Sequence, residues 1–305
     1  MSILTVLLSL CAATFAQGLK DVYKDYFLIG VAVNQRNVTN AEQQALIKRE
    51  FSSMTAENDM KPEPTEPRQG QFNWEGADRI ANFARQNGIK LRGHCLMWHS
   101  QIGRWMTSDN PTKEVFYARM KNHIEAVVSR YKDVVYAWDV VNEAMTDDAN
   151  AEDPYRQSVM YKLCGDEFIA KAFETVLVDE LVPYIDANFN TIAKRESRAM
   201  AGLSMGGMET KAITLARPAV FSYYGLLSGG TYAPEDLKLD DKSVPKPKLI
   251  FESCGSRERP DGINESVKAL TAAGQKAVGY VSPNTGHEFL TWRRSLKEMA
   301  PLLFK

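Results

Sequence analysis

Two stretches of the 305-residue chain carry side chains able to do covalent chemistry. The first, Trp138-Asp139-Val140-Val141-Asn142-Glu143-Ala144, sets a carboxyl group just past an apolar run that reads as a strand. Glu143 is therefore a candidate general acid for glycosidic cleavage, a reaction that also needs a second, opposed carboxylate as nucleophile or base. Asp139 shares the strand and its face, but four residues at about 3.3 Å each put it about 13 Å away, whereas a retaining pair stands about 5 to 5.5 Å apart. The second stretch, Ala201-Gly202-Leu203-Ser204-Met205-Gly206-Gly207, fits a strand-to-helix turn whose glycines allow the tight geometry that exposes the Ser204 hydroxyl. Downstream lie Glu258 and His287, each after a strand-like run, so nucleophile, acid and base follow one another in the chain. A serine needs a base to activate it and a carboxylate to orient that base. Asp261 is the alternative orienting acid.

The elements that must hold these groups repeat as strand, turn and amphipathic helix. Strand-like runs at residues 27–33, 53–57, 90–96 and 134–142 alternate with helical periodicity at 41–51, 74–86, 113–130 and 166–173. Four βα units in a row predict a parallel sheet, open or curled into a barrel, with Glu143 at the strand C-terminal end where βα folds build their sites. Beyond residue 174 the spacing of Leu177, Val178, Leu181, Val182, Ile185 and Phe189 predicts one apolar helical face. Strands at 199–203, 221–227, 248–254 and 277–281 follow, with helices between them and a last helix at 291–303. No Gly-, Ser- or Pro-rich linker separates the halves, so the junction near 174 and 175 reads as a deletion scar.

Apolar residues make up 44% of the chain and the net charge is −1, with charges spread throughout. That balance supports real cores and gives no basis for a nucleic-acid partner or an acidic membrane surface; a neutral substrate fits it. Residues 3–15 are almost wholly apolar and precede Ala16 and Gln17. The run is shorter than the roughly 20 residues of a spanning helix and reads as a signal peptide ending at 16, which predicts a secreted or periplasmic protein with no membrane attachment after cleavage. Once Cys11 leaves with the signal, Cys95, Cys164 and Cys254 remain scattered, with no disulfide framework and no zinc spacing. His94 and His99 stand five apart on a strand and loop, a poor metal pair, and no cofactor is called for.

Three motifs in order, Thr55-Ala56-Glu57-Asn58-Asp59-Met60-Lys61, then Gly93-His94-Cys95-Leu96-Met97-Trp98-His99-Ser100-Gln101, then Trp138 to Ala144, resemble glycoside hydrolase family 10, the endo-1,4-β-xylanases. The resemblance implies that Glu143 is the acid/base. It also implies that Glu57, Asn58, Lys61, His94, Trp98, Gln101 and Asn142 bond to or stack on xylose units. That set suits sugars, which are met by aromatic faces and by amide or carboxylate groups. Family members carry their nucleophilic glutamate on a later barrel strand, and no residue here matches it.

Residues 175–305 resemble the feruloyl and acetyl xylan esterases of carbohydrate esterase family 1, most closely in Ser282-Pro283-Asn284-Thr285-Gly286-His287-Glu288-Phe289-Leu290-Thr291-Trp292-Arg293-Arg294. The roles implied are Ser204 nucleophile, His287 base, Glu258 or Asp261 acid, and the Met205 N–H as one oxyanion donor. The earlier strands of that family, which bring the second donor, have no counterpart; losing one donor typically costs on the order of 10² to 10³ in rate.

The expectation is an α/β chain: a signal peptide at 1–16, a half (β/α)8 barrel of four βα units at 17–174, and the C-terminal half of an α/β-hydrolase sheet at 175–305. Its expected substrates are xylan, xylo-oligosaccharides and feruloylated arabinoxylan, with ester hydrolysis surviving at Ser204. A non-catalytic xylo-oligosaccharide-binding protein and an inactive deletion product are the alternatives.

Overall fold

The computed structural model describes residues 17–148 and 150–305; the signal-peptide reading falls on residues outside these. Among the described residues there are two four-stranded parallel sheets. β1 (Gly30–Val33), β2 (Ser53–Ala56), β3 (Lys90–Trp98) and β4 (Val135–Asn142) form one, in sequence order. β5 (Ala199–Leu203), β6 (Tyr223–Leu227), β7 (Leu249–Gly255) and β8 (Ala277–Ser282) form the other, again in sequence order. The principal helices are α1 (Ala41–Glu50), α2 (Glu75–Asn87), α3 (Lys113–Tyr131), α4 (Glu167–Glu174), α5 (Val182–Asn188), α6 (Met205–Ala216), α7 (Pro260–Ala272) and α8 (Phe289–Met299).

The described residues divide into two compact units, 17–105 with 130–142, and 106–129 with 143–305. The first contains β1–β4. Gly30 to Val33 pair in parallel with Ser53 to Ala56, and Leu91 pairs with both Met54 and Val135. Met54, Ala56, Leu91 and Leu96 are fully buried, as are Ile80 and Ala84 of α2. Local chemistry sets the helix ends. The Asn40 side chain caps α1 by accepting from the Gln43 N–H at 3.0 Å, and Gly88 ends α2 in the left-handed region at φ 62°.

The second unit contains β5–β8. Every residue of β6 and β7 is buried, as in strands covered on both faces, including the polar Glu252 and Ser253 of β7. Leu226 and Ile250 belong to a cluster with Ile213, Tyr224, Tyr232 and Leu270. Leu227 and Phe251 meet Met299 of α8 instead.

The sequence reading needs two corrections. Strand β1 begins at Gly30 rather than 27, with Phe27 and Leu28 exposed. The single apolar face proposed from Leu177 to Phe189 is also not kept: Val178 is buried while Leu181 and Phe189 are 45% and 58% exposed. The cause is a π-helical segment, Thr175–Leu181, running directly between α4 and α5. Its wider turn shifts the phase of the helix, so residues spaced for an α-helix no longer share a face. The proposed junction at 174 and 175 falls where this helical run changes from α to π.

Candidate functional site

In the first unit, side chains gather beyond the C-terminal ends of β2 and β3. Lys61, only 6% exposed, donates to Asn58 Oδ1 at 2.9 Å, and its Nζ lies 4.1 Å from the centre of the Trp98 ring. Gln101 reaches the same Asn58 oxygen at 3.5 Å, and Asn34 donates to Glu57 at 3.2 Å. Five of the residues read as sugar contacts, Glu57, Asn58, Lys61, Trp98 and Gln101, are thus in one neighbourhood. A cation held against an indole face is a fixed arrangement rather than a solvated lysine.

His94 has a different partner: its Nδ1 lies 2.9 Å from Asp139. Arg92 also bonds to Asp139, its Nε at 3.0 Å. Burial pushes the Asp139 carboxyl up, but Arg92 and His94 outweigh it and hold the group below its ordinary value. Asp139 is therefore an ion-pair partner on β4. Asn142 closes β4, paired in register with Trp98, and Glu143 follows at φ 53° with its carbonyl accepting from Arg156.

The second unit assembles its groups at the C-terminal ends of β5, β7 and β8. Ser204 follows β5 at φ 51°, ψ −122°, and α6 starts at the next residue. A non-glycine residue at positive φ is strained and persists where the surroundings fix it. Here the Ser204 N–H donates to Leu227 O at 2.9 Å on β6, and Gly202 lets the turn close, since a Cβ there would meet Gly206 O at 1.9 Å. Gly206 itself has open space; the other indispensable glycine is Gly207, whose Cβ would stand 2.6 Å from Gly229 Cα. The Gly-x-Ser-x-Gly spacing of the sequence falls on Gly202 and Gly206 instead.

His287 lies between β8 and α8, its ring edge-on to Trp292 at 5.2 Å. Its Nε2 is 2.7 Å from Ser204 Oγ and its Nδ1 is 2.9 Å from Glu258 Oε2. Of the two candidate acids, Glu258 is thus the one that reaches His287. Asp261 is not the partner of His287: it sits in the first turn of α7, one turn further along the chain. Burial raises the Glu258 carboxyl, but the Gly255 N–H, His287 and Ser228 together hold it below its ordinary value, which keeps it ionised opposite the imidazole. Sequence reasoning missed Ser228; the available signal was its place directly after β6, at the sheet end where α/β folds carry their sites. Met205 opens α6, so its N–H is among those a helix's first turn leaves without an intrahelical acceptor.

Along one face of α6 runs a cavity of about 530 Å³, lined by Met205, Met208, Glu209 and Ala212 on one side and by Asp166 and Ile169 on the other. Burial, with the Asp166 charge adding to it, pushes the Glu209 carboxyl up to about 7. Between its ordinary 4.5 and about 7 the folded chain holds a proton that the unfolded chain has released, so this group makes stability fall as pH rises through that window. Glu209→Gln is expected to melt higher than wild type at pH 8, by on the order of 2 °C, and to match it near pH 4. Thermal melts at both pH values check this; an equal offset at the two would show that Glu209 does not titrate there.

Residues 18–191 match the family described as Glycosyl hydrolase family 10, and the chain belongs to that family. The first sheet is accordingly part of a (β/α)8 barrel of that type. The chain is 57% identical over 171 residues to a protein of Xylanibacter ruminicola named Endo-1,4-beta-xylanase/feruloyl esterase, a match over 52% of this chain and 24% of that one. The likeness lies in the family 10 part, and the chain spans about a quarter of that relative's length. It is 34% identical over 280 residues to an Endo-1,4-beta-xylanase A of Xylanibacter ruminicola, covering 85% of this chain and 75% of the other. A solved psychrophilic glycoside hydrolase family 10 endo-beta-1,4-xylanase superposes with a TM-score of 0.52 at 37% identity, over 88% of this chain and 90% of that one.

Proposed function

We propose that the chain is a xylan-directed hydrolase whose working chemistry is ester hydrolysis at Ser204, removing acyl groups such as ferulate from substituted xylan. The observation that carries this reading is the hydrogen-bonded series Ser204 Oγ, His287, Glu258, with spacings of 2.7 and 2.9 Å. In it, His287 Nε2 accepts the Ser204 proton as Oγ attacks the ester carbonyl, and Glu258 accepts from Nδ1–H and stabilises the imidazolium. The Met205 N–H faces the developing oxyanion. The alcohol leaves with the proton from His287, and water then releases the acid by the reverse sequence. The relative named Endo-1,4-beta-xylanase/feruloyl esterase is matched over its family 10 part, so the ester class rests on the triad geometry.

In the same reading the first unit contributes recognition. Glu57, Asn58, Lys61, His94, Trp98, Gln101 and Asn142 meet xylose units, and Glu143 keeps the acid/base position without the family's opposed nucleophile. Glycosidic cleavage needs both carboxyl groups, so backbone cutting is not expected. Export through residues 1–16 belongs to this proposal as well.

The test is to assay the purified chain on methyl ferulate, on an aryl acetate and on xylan. Slow turnover of the esters without release of reducing sugar is expected, and a fluorophosphonate should label Ser204. Xylan hydrolysis that disappears in Glu143→Ala, with no ester turnover, would overturn the reading.

A further inference from the structure

We propose that Ser228 is a positioning residue for the triad, its hydroxyl locking the carboxylate of Glu258 in the orientation His287 requires; this rests on the ester-hydrolase reading above. Glu258 Oε1 accepts from the Gly255 N–H at 2.6 Å and from Ser228 Oγ at 2.9 Å, which leaves Oε2 to His287. Gly255 closes β7, three residues before Glu258. Ser228 directly follows another strand, β6, so its bond ties the acid to the part of the sheet that also anchors Ser204.

The backbone argues that the hydroxyl is there for this purpose. Ser228 sits at φ 52°, where glycine is the unstrained choice, and two glycines follow it directly. Its N–H bond to Ser253 O, 2.7 Å long, would be made by any residue with an amide. Only the side chain needs serine. The next residue completes the device: a Cβ on Gly229 would stand 2.5 Å from Gly207 Cα and 2.9 Å from Ser204 O. One loop, residues 228–230, thus lies against the nucleophile turn with one residue and grips the acid with its neighbour, fixing the span between the two ends of the triad.

The experiment compares Ser228→Gly and Ser228→Ala with wild type in the full chain. Steady-state hydrolysis of an aryl acetate and the melting temperature are measured, together with the downfield proton resonance of His287 Nδ1–H in the resting protein. In both variants kcat is expected to fall on the order of 10-fold, KM to stay within about twofold, and the resonance to move upfield. Ser228→Gly should melt at or above wild type, because the strained φ is relieved. Wild-type kcat and an unmoved resonance in Ser228→Gly would overturn the proposal and leave Ser228 a turn residue only. Should Ser204→Ala hydrolyse the ester as fast as wild type, the ester-hydrolase reading fails, and the resonance still decides whether Ser228 holds the pair.

Discussion

Ser204→Ala is expected to lower kcat for an aryl acetate by at least about 10³-fold, with His287→Ala doing nearly the same. The loss is large because the two residues act as one unit: without Oγ there is no acyl-enzyme, and without Nε2 the hydroxyl, with its high pKa, stays a poor nucleophile. Removing both should therefore cost little more than removing either, a non-additivity expected of groups that share one step. The 2.7 Å separation of Oγ and Nε2 means the resting protein needs no rearrangement to bring them together. Circular dichroism and melting curves should be unchanged in both variants, since Ser204 packs by its backbone and His287 is half-exposed. Wild-type rates in both alanine variants would mean that the ester is hydrolysed elsewhere.

Glu258→Gln should cost about 10³-fold in kcat, whereas Asp261→Asn should change it by less than about twofold. An amide in place of the carboxylate can present its NH₂ to Nδ1 and so favour the wrong imidazole tautomer, and it removes the charge opposite the imidazolium. Asp261 lies in the first turn of α7, where a negative charge favours the helix dipole; its replacement should lower stability by about 0.5 kcal/mol without touching the chemistry. Steady-state rates for the two variants, with denaturant melts, separate the roles. A large kcat loss in Asp261→Asn would reverse the assignment.

Much of this was legible in the residues. All eight strands fall within three residues of their expected bounds, because alternating βα units leave strong apolar runs bounded by turns. Ser204 was legible because a nucleophile turn needs glycine at fixed offsets, and His287 because it follows a strand-like run in the chain order nucleophile, acid, base. The choice between Glu258 and Asp261 was not: both follow β7 within a few residues, and only the path of the loop, fixed by Gly255 against Thr285, decides which carboxyl reaches Nδ1. Ser228 was hidden for a similar reason, since its role arises from an approach of β6 and β7 that no local pattern encodes. The Asp139 pairing with Arg92 and His94 crosses from β4 to β3 and depends on register. The π-helical segment at Thr175–Leu181 leaves no composition signal, which is why the phase of residues 177–189 was misjudged.

The sequence order of each sheet has a consequence for how the chain reaches its fold. Every pairing, Gly30 with Ser53, Ser53 with Lys90, Leu91 with Val135, and likewise from Ala199 with Tyr223 to Ile250 with Ala277, joins strands that are neighbours in the chain. Among the described residues no strand waits for a distant partner, so the loop-closure entropy of each step is that of a single crossover, and contact order is low for parallel sheets. Each strand can dock as soon as its own βα unit has emerged during synthesis, and the newest edge stays open only until the next unit arrives. A sheet assembled in this way grows strand by strand, each new pairing resting on the strand just before it.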